Sequence, residues 1–177
     1  MRAVAAPDLD ARLLRFRSIP GGEDAVRLAA DLLTANRTGD SLEVTTAALK
    51  TSETVDVLVA HARAEMATGK LLEAQATLLR AARVDGRRLE PFRWLGELLL
   101  KRGDPARAVK VLERAAAIDP TDRAVGALKQ RAERLAKLAE SGADIPDPTA
   151  SRRDAPPEER TVVRADLTGE LALAERG

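Results

Sequence analysis

The chain has no cysteine and no tyrosine, and its 177 residues include only two phenylalanines and one tryptophan. Without cysteine there is no disulfide, no thiolate metal site and no lipid attached through sulfur. So few aromatics do not fill a β-sandwich or a large enzyme pocket. Charge of one sign is also lacking: 29 Lys and Arg stand against 28 Asp and Glu. A near-neutral chain has no strongly basic face of the kind bulk nucleic-acid binding needs. No apolar run approaches the roughly 18 residues of a membrane span, and Met1 to Arg17 lacks the apolar stretch of a secretory signal. These absences predict a cytoplasmic protein that binds neither nucleic acid nor membrane. β-Branched runs are scarce, so strands have little support. What the chain does have is Ala, Leu and Arg, all good helix formers. The excess of Arg over Lys, with abundant Ala, suggests a GC-rich bacterial genome.

The strongest internal signal is a repeat. Shifted by 34 residues, Gly69 to Asp85 falls on Gly103 to Asp119 without a gap. Gly69 meets Gly103, Ala74 meets Ala108, Leu78 meets Leu112, and Arg80-Ala81-Ala82 meets Arg114-Ala115-Ala116. A period of this size marks stacked supersecondary units rather than one closed core.

Segment by segment, residues 1–20 hold a short amphipathic helix. Leu9, Leu13 and Phe16 lie on one face, Asp8 is its N-cap after Pro7, and Pro20-Gly21-Gly22 ends it. Residues 21–54 read as a degenerate repeat. Val26, Ala29, Ala30 and Leu33 make the inward face of its first helix, and Asn36 to Gly39 form the turn. Asp40 with Glu43 resembles a capping box opening a second helix through Val44, Ala47, Ala48 and Leu49. Residues 55–88 form a repeat with Val55, Leu58 and Ala62, then Gly69, then Ala74, Leu78 and Ala81. Residues 89–122 repeat the plan, with Asp104 capping a helix that has Pro105 at its first position. Residues 122–140 make a capping helix with Val125, Leu128, Ala132, Leu135 and Leu138 on one side and Arg and Lys on the other. Residues 141–177 are Pro-rich and charged, with 5 basic and 8 acidic residues from 142 onward, and read as a disordered tail.

Phe92, Leu95-Gly96, Leu99, Ala108, Leu112, Ala115 and Asp119-Pro120 follow the spacing of the tetratricopeptide motif, and residues 89–122 resemble that family. Residues 55–88 resemble it less closely, since His61, Glu65 and Gly86 replace a Leu, a large apolar residue and the closing Pro. The resemblance implies an all-α fold: a short right-handed α-solenoid of antiparallel helix pairs, closed by the capping helix. It implies that the first helix of each pair lines a concave groove that binds an extended peptide or a helix of another protein. The groove candidates are Val59, Arg63 and Met66, then Arg93, Trp94, Glu97, Leu100 and Lys101, and from the capping helix Ala127, Arg131 and Arg134. One subtype of the family holds chaperone C-termini through a Lys/Asn/Arg clamp. Val59, Trp94 and Leu128 stand where those residues would be, so that role is not expected. Arg63, Arg93 and Arg131 would instead favour an acidic peptide.

Several residues admit two readings. Trp94 either packs against the neighbouring helix pair or anchors a ligand at the groove edge. His61 falls on a core position and has no second His or Cys, so it reads as a satisfied, half-buried histidine rather than a metal ligand or catalytic base. Asp85, Asp119 and Asp122 sit at helix ends, where capping accounts for them. No paired acid and base, phosphate loop or nucleophile elbow is present, so no catalytic residue, metal or cofactor is expected. The basic side of the capping helix is a solvated face or a surface for an acidic partner. The helix of Leu9, Leu13 and Phe16 caps the first repeat or docks on another chain. Thr149, Ser151 and Thr161 lie in an inert linker or are phosphorylation sites. The function expected is a non-enzymatic scaffold or adaptor. The alternatives are an anchoring platform whose tail is the regulatory element, and a piece of a larger regulatory protein.

Overall fold

The structure, a computed structural model, describes residues 6–19 and 24–141. The expected tail, and the Pro20-Gly21-Gly22 break, lie outside the described residues. The described residues form eight α-helices and no strand: α1 (Ala6–Ser18), α2 (Ala25–Thr34), α3 (Thr38–Thr51), α4 (Val55–Ala67), α5 (Leu71–Val84), α6 (Leu89–Lys101), α7 (Pro105–Ile118) and α8 (Arg123–Glu140). They stack as the antiparallel pairs α2–α3, α4–α5 and α6–α7, with α8 against α7 and α1 against α2. This is a short α-solenoid.

The three pairs turn by one mechanism. In each, the residue just past the first helix has a positive φ: 60° at Asn36, 83° at Gly69 and 75° at Gly103. Each turn closes with a Schellman pair of bonds. The Gly69 N–H donates to the Met66 carbonyl at 3.3 Å and the Lys70 N–H to the Glu65 carbonyl at 2.8 Å. Gly103 and Asp104 donate in the same way to Leu100 and Leu99, and Asn36 and Arg37 to Leu33 and Leu32. The blurred first unit therefore has the same turn as the clear ones, with Asn replacing Gly. Asn is one of the few residues that tolerate this backbone.

Small residues let the helices of a pair approach. A Cβ placed on Gly96 would lie 2.5 Å from Leu112 Cγ and Cδ2, so α6 and α7 meet where only glycine fits. Around this point lies the main core: Leu58, Ala62, Ala74, Leu78, Leu95, Leu98, Leu99, Ala108 and Leu112, reaching to Ala132 of α8. Phe92, Ala115 and Val125 form a smaller cluster between α6, α7 and α8. A separate cluster joins Leu9, Leu13 and Phe16 of α1 to Leu28, Ala29, Leu32 and Val44. Helix α1 thus covers the first pair.

Several local expectations are corrected. Helix α1 begins at Ala6, so Asp8 lies in its first turn and is not its cap. Helix α3 begins at Thr38 with no side-chain cap; Asp40 instead accepts from Arg37 Nε at 2.7 Å. The inward face of α2 is Leu28, Ala29 and Leu32, not Val26, Ala30 and Leu33, because α1 covers the side that carries Leu28 and Leu32. Leu138 is exposed, since α8 packs mainly through Val125, Leu128 and Ala132, nearer its start. The expected caps at Asp104 and Asp122 each accept from a backbone N–H in the first turn, and Thr54 does the same for α4.

Candidate partner-binding groove

The first helices of successive pairs touch one another, α2 with α4, α4 with α6 and α6 with α8. The second helices α3, α5 and α7 make no comparable contacts with one another. Inner helices that close up while outer ones splay bend the stack toward the inner layer. That layer carries α4, α6 and α8, and with them the residues expected to line a groove.

The structure sorts those residues into three groups. Val59 and Met66 are buried in the main core, 8% and 6% exposed. They are corrected from groove lining to packing, because α4 is enclosed by α2, α3, α5 and α6. Leu100 is half-buried against the same core. Arg63, Arg93, Trp94 and Glu97 are half-buried on α4 and α6. Lys101, Ala127, Arg131 and Arg134 are exposed. The Lys101 ammonium donates to the Met66 carbonyl at 3.5 Å, where α4 ends and its dipole is negative. Arg134 donates to the Gln130 carbonyl of its own helix, at 3.4 Å.

Trp94 is the centre of the second group. The Arg63 guanidinium lies 4.6 Å from its ring centroid and the Arg93 guanidinium 5.1 Å, both within cation–π range. The ring also rests on the main core. The packing reading of Trp94 is thus observed, and the same ring carries two guanidiniums. Burial pushes the Arg63 pKa down, the nearby Arg93 charge pushes it further, and Glu97 opposes both. Arg93 Nε is buried with no hydrogen-bond partner. Neither guanidinium forms a salt bridge among the described residues.

A polar chain crosses the first two pairs. The Ser41 hydroxyl donates to the Ala29 carbonyl at 3.0 Å, and the Thr45 hydroxyl to the Ser41 carbonyl at 2.9 Å. Thr45 Oγ1 lies 3.0 Å from His61 Nδ1, His61 Nε2 lies 3.3 Å from Glu65 Oε1, and the Thr77 hydroxyl donates to Glu65 Oε2 at 2.8 Å. Hydroxyl, imidazole and carboxylate stand in triad order, but Thr45 is 1% exposed, so no substrate reaches its oxygen. His61 is the satisfied, half-buried histidine the sequence predicts. Ser41, Thr45 and Thr77 were not anticipated; the i, i+4 pairs Ser41/Thr45 and His61/Glu65 on otherwise apolar faces were the available signal. The described residues contain no cluster of acidic, His or Cys side chains able to hold a metal. None of their helices is long and apolar enough to cross a membrane.

Residues 89–138, covering α6, α7 and most of α8, match the tetratricopeptide repeat family. Solved structures of this fold resemble the chain over most of its length. The TPR domain of Sgt2 from Aspergillus fumigatus aligns with a TM-score of 0.62 at 17% identity, over 82% of this chain and 89% of that one. The first TPR domain of human RPAP3 aligns with a TM-score of 0.62 at 11% identity, over 66% and 93%. PcrH of Pseudomonas aeruginosa, solved with the chaperone-binding region of PopB, aligns with a TM-score of 0.53 at 16% identity, over 76% and 99%. At these identities the likeness is one of fold. No curated protein matches the sequence.

Proposed function

We propose that this TPR protein is a non-enzymatic scaffold or adaptor that works in the cytoplasm. It holds an extended peptide or a helix of another protein against the inner layer formed by α4, α6 and α8. The observation that carries this reading is the state of Arg63, Trp94 and Arg93. Two half-buried cations share one ring on the inner layer, form no salt bridge among the described residues, and are offset only in part by the Glu97 charge. Half-buried charge without a partner is costly in an isolated protein and is relieved by an acidic ligand. Arg131 and Arg134 extend the basic lining along α8. The PcrH structure, in which a protein of similar fold is in complex with the chaperone-binding region of PopB, supports the idea that a stack of this size accommodates a protein segment.

Photo-cross-linking in the native organism tests the proposal. A photoreactive residue at Lys101, on the inner layer, is expected to capture a discrete partner that one at Leu72 does not. Leu72 is exposed on α5, outside that layer, at 68%. The double variant Arg63→Glu/Arg93→Glu is expected to abolish the adduct while keeping its helical content. Equal capture from both positions, or capture unaffected by the double variant, overturns the groove reading.

A further inference from the structure

We infer that Arg63, Arg93, Trp94 and Glu97 form a carboxylate-selective anchor, which takes one Asp or Glu side chain of a partner peptide beside an apolar residue and discriminates against phosphate. This deepens the groove reading and rests on it.

The argument begins with how arginines are treated elsewhere in the molecule. Arg17 donates to both oxygens of Glu43, Arg80 pairs with Glu53, Arg88 with Asp56 and Arg12 with Asp31. Among the described residues Arg63 and Arg93 form no such ion pair, although Arg63 is more enclosed than most of those and Arg93 Nε is buried. Their guanidiniums are held over one aromatic ring instead, and Trp94 is itself fixed by the core. Side chains already immobilised lose little entropy when a ligand arrives. The two cations repel each other, so an anion between them relieves a cost that the free protein carries.

Glu97 sets which anion. It acts on Arg63 from the same helix as Arg93 and supplies one negative charge to the pair of positive ones. Two guanidiniums and one carboxylate leave a single net positive charge. One incoming carboxylate neutralises it. A phosphate monoester brings close to two negative charges at neutral pH and leaves an excess in a half-buried place. Lys101 does not make up the difference, because its ammonium is turned to the end of α4. The ring of Trp94 provides an apolar surface beside the anion, which favours an aliphatic neighbour in the ligand.

Trp94 is the only tryptophan and tyrosine is absent, so its fluorescence reports on this site alone. The probes are three blocked octapeptides in which leucine alternates with glutamate, with glutamine or with phosphoserine. The glutamate peptide is expected to shift the emission saturably, and to bind at least about tenfold more tightly than the glutamine peptide, as a charge-assisted bond implies. The phosphoserine peptide is expected to bind more weakly than the glutamate peptide, and Glu97→Gln to reverse that order. Arg93→Gln, with helical content unchanged by circular dichroism, is expected to erase the preference for glutamate over glutamine. Equal binding of the glutamate and glutamine peptides, an unchanged order in Glu97→Gln, or no response to any peptide overturns the anchor. Any of these outcomes with an intact Lys101 cross-link overturns the anchor and leaves the groove standing; loss of the cross-link specificity removes both.

Discussion

Three residues show how single positions are tied to this fold. Asn36 occupies the left-handed turn position that Gly69 and Gly103 occupy in the later units. An L-residue other than Asn pays roughly 1–2 kcal/mol there, so Asn36→Ala is expected to lower stability by about 1 kcal/mol in urea denaturation, and Asn36→Gly to lower it not at all. Gly96 is constrained differently: any side chain there collides with Leu112, which is fully buried and cannot withdraw. Gly96→Ala is expected to cost about 1–3 kcal/mol by overpacking. Thr77 is half-buried yet satisfies one oxygen of the buried Glu65. Thr77→Val keeps the shape but leaves that oxygen bare, and is expected to cost about 1–3 kcal/mol. Thr77→Ser, which restores the donor, is expected to recover most of the loss, and chemical denaturation of the pair separates hydrogen bonding from packing.

At the scale of elements, what could be read in advance depended on whether the deciding partner was local. The caps at Asp104 and Asp122 lie within three residues of the N–H groups they bind, and were legible. The cap expected at Asp40 was not, because Arg37 and Arg17 both approach that carboxylate and Arg17 comes from another helix. The face of α2 is not legible in its own stretch of sequence for the same reason, since its covering helix lies outside it. Repeat position brought Val59 and Met66 to the groove side of α4, but could not register how closely the neighbouring helices enclose them. The pairing of Arg63 with Trp94 spans two repeats and was invisible to a reading made one repeat at a time. Helix α1 is the element most open to test. Beyond its apolar cluster it is held by Arg12 to Asp31 at 2.7 Å, by Arg17 to Glu43 and by Asp10 to Arg37. The Arg17 guanidinium holds the Glu43 carboxyl below the usual glutamate range. A carboxylate depressed in this way stabilises the folded state above its unfolded pKa, and that contribution is lost as pH falls through the folded one. Both partners are about half exposed, so the effect is small and screened by salt. Hydrogen exchange is expected to show α1 losing protection before α6 on acidification, and Glu43→Gln is expected to start with lower α1 protection and a flatter pH response.

Across the described helices, each pair meets only its neighbours, and two of the three apolar clusters lie toward opposite ends of the stack. Val44 belongs to the cluster under α1, whereas Val125 joins Phe92 and Ala115 at the other end. In a stack whose stability is a sum of unit and nearest-neighbour terms, damage at one end does not alter the packing at the other. Val44→Ala and Val125→Ala each remove two buried methyl groups and are expected to cost about 2 kcal/mol. The double variant is expected to lose the sum to within about 0.5 kcal/mol, as separated sites do. Val125→Ala combined with Phe92→Leu is the contrasting case, since both residues line the same small cluster. There the second change falls on a cavity the first has already opened, and a coupling energy above about 0.5 kcal/mol is expected. Urea denaturation of the three single and two double variants measures both terms. Strong coupling between Val44 and Val125 would mean that the stack responds as one closed core, and a bend maintained by contacts between adjacent inner helices would no longer account for its shape.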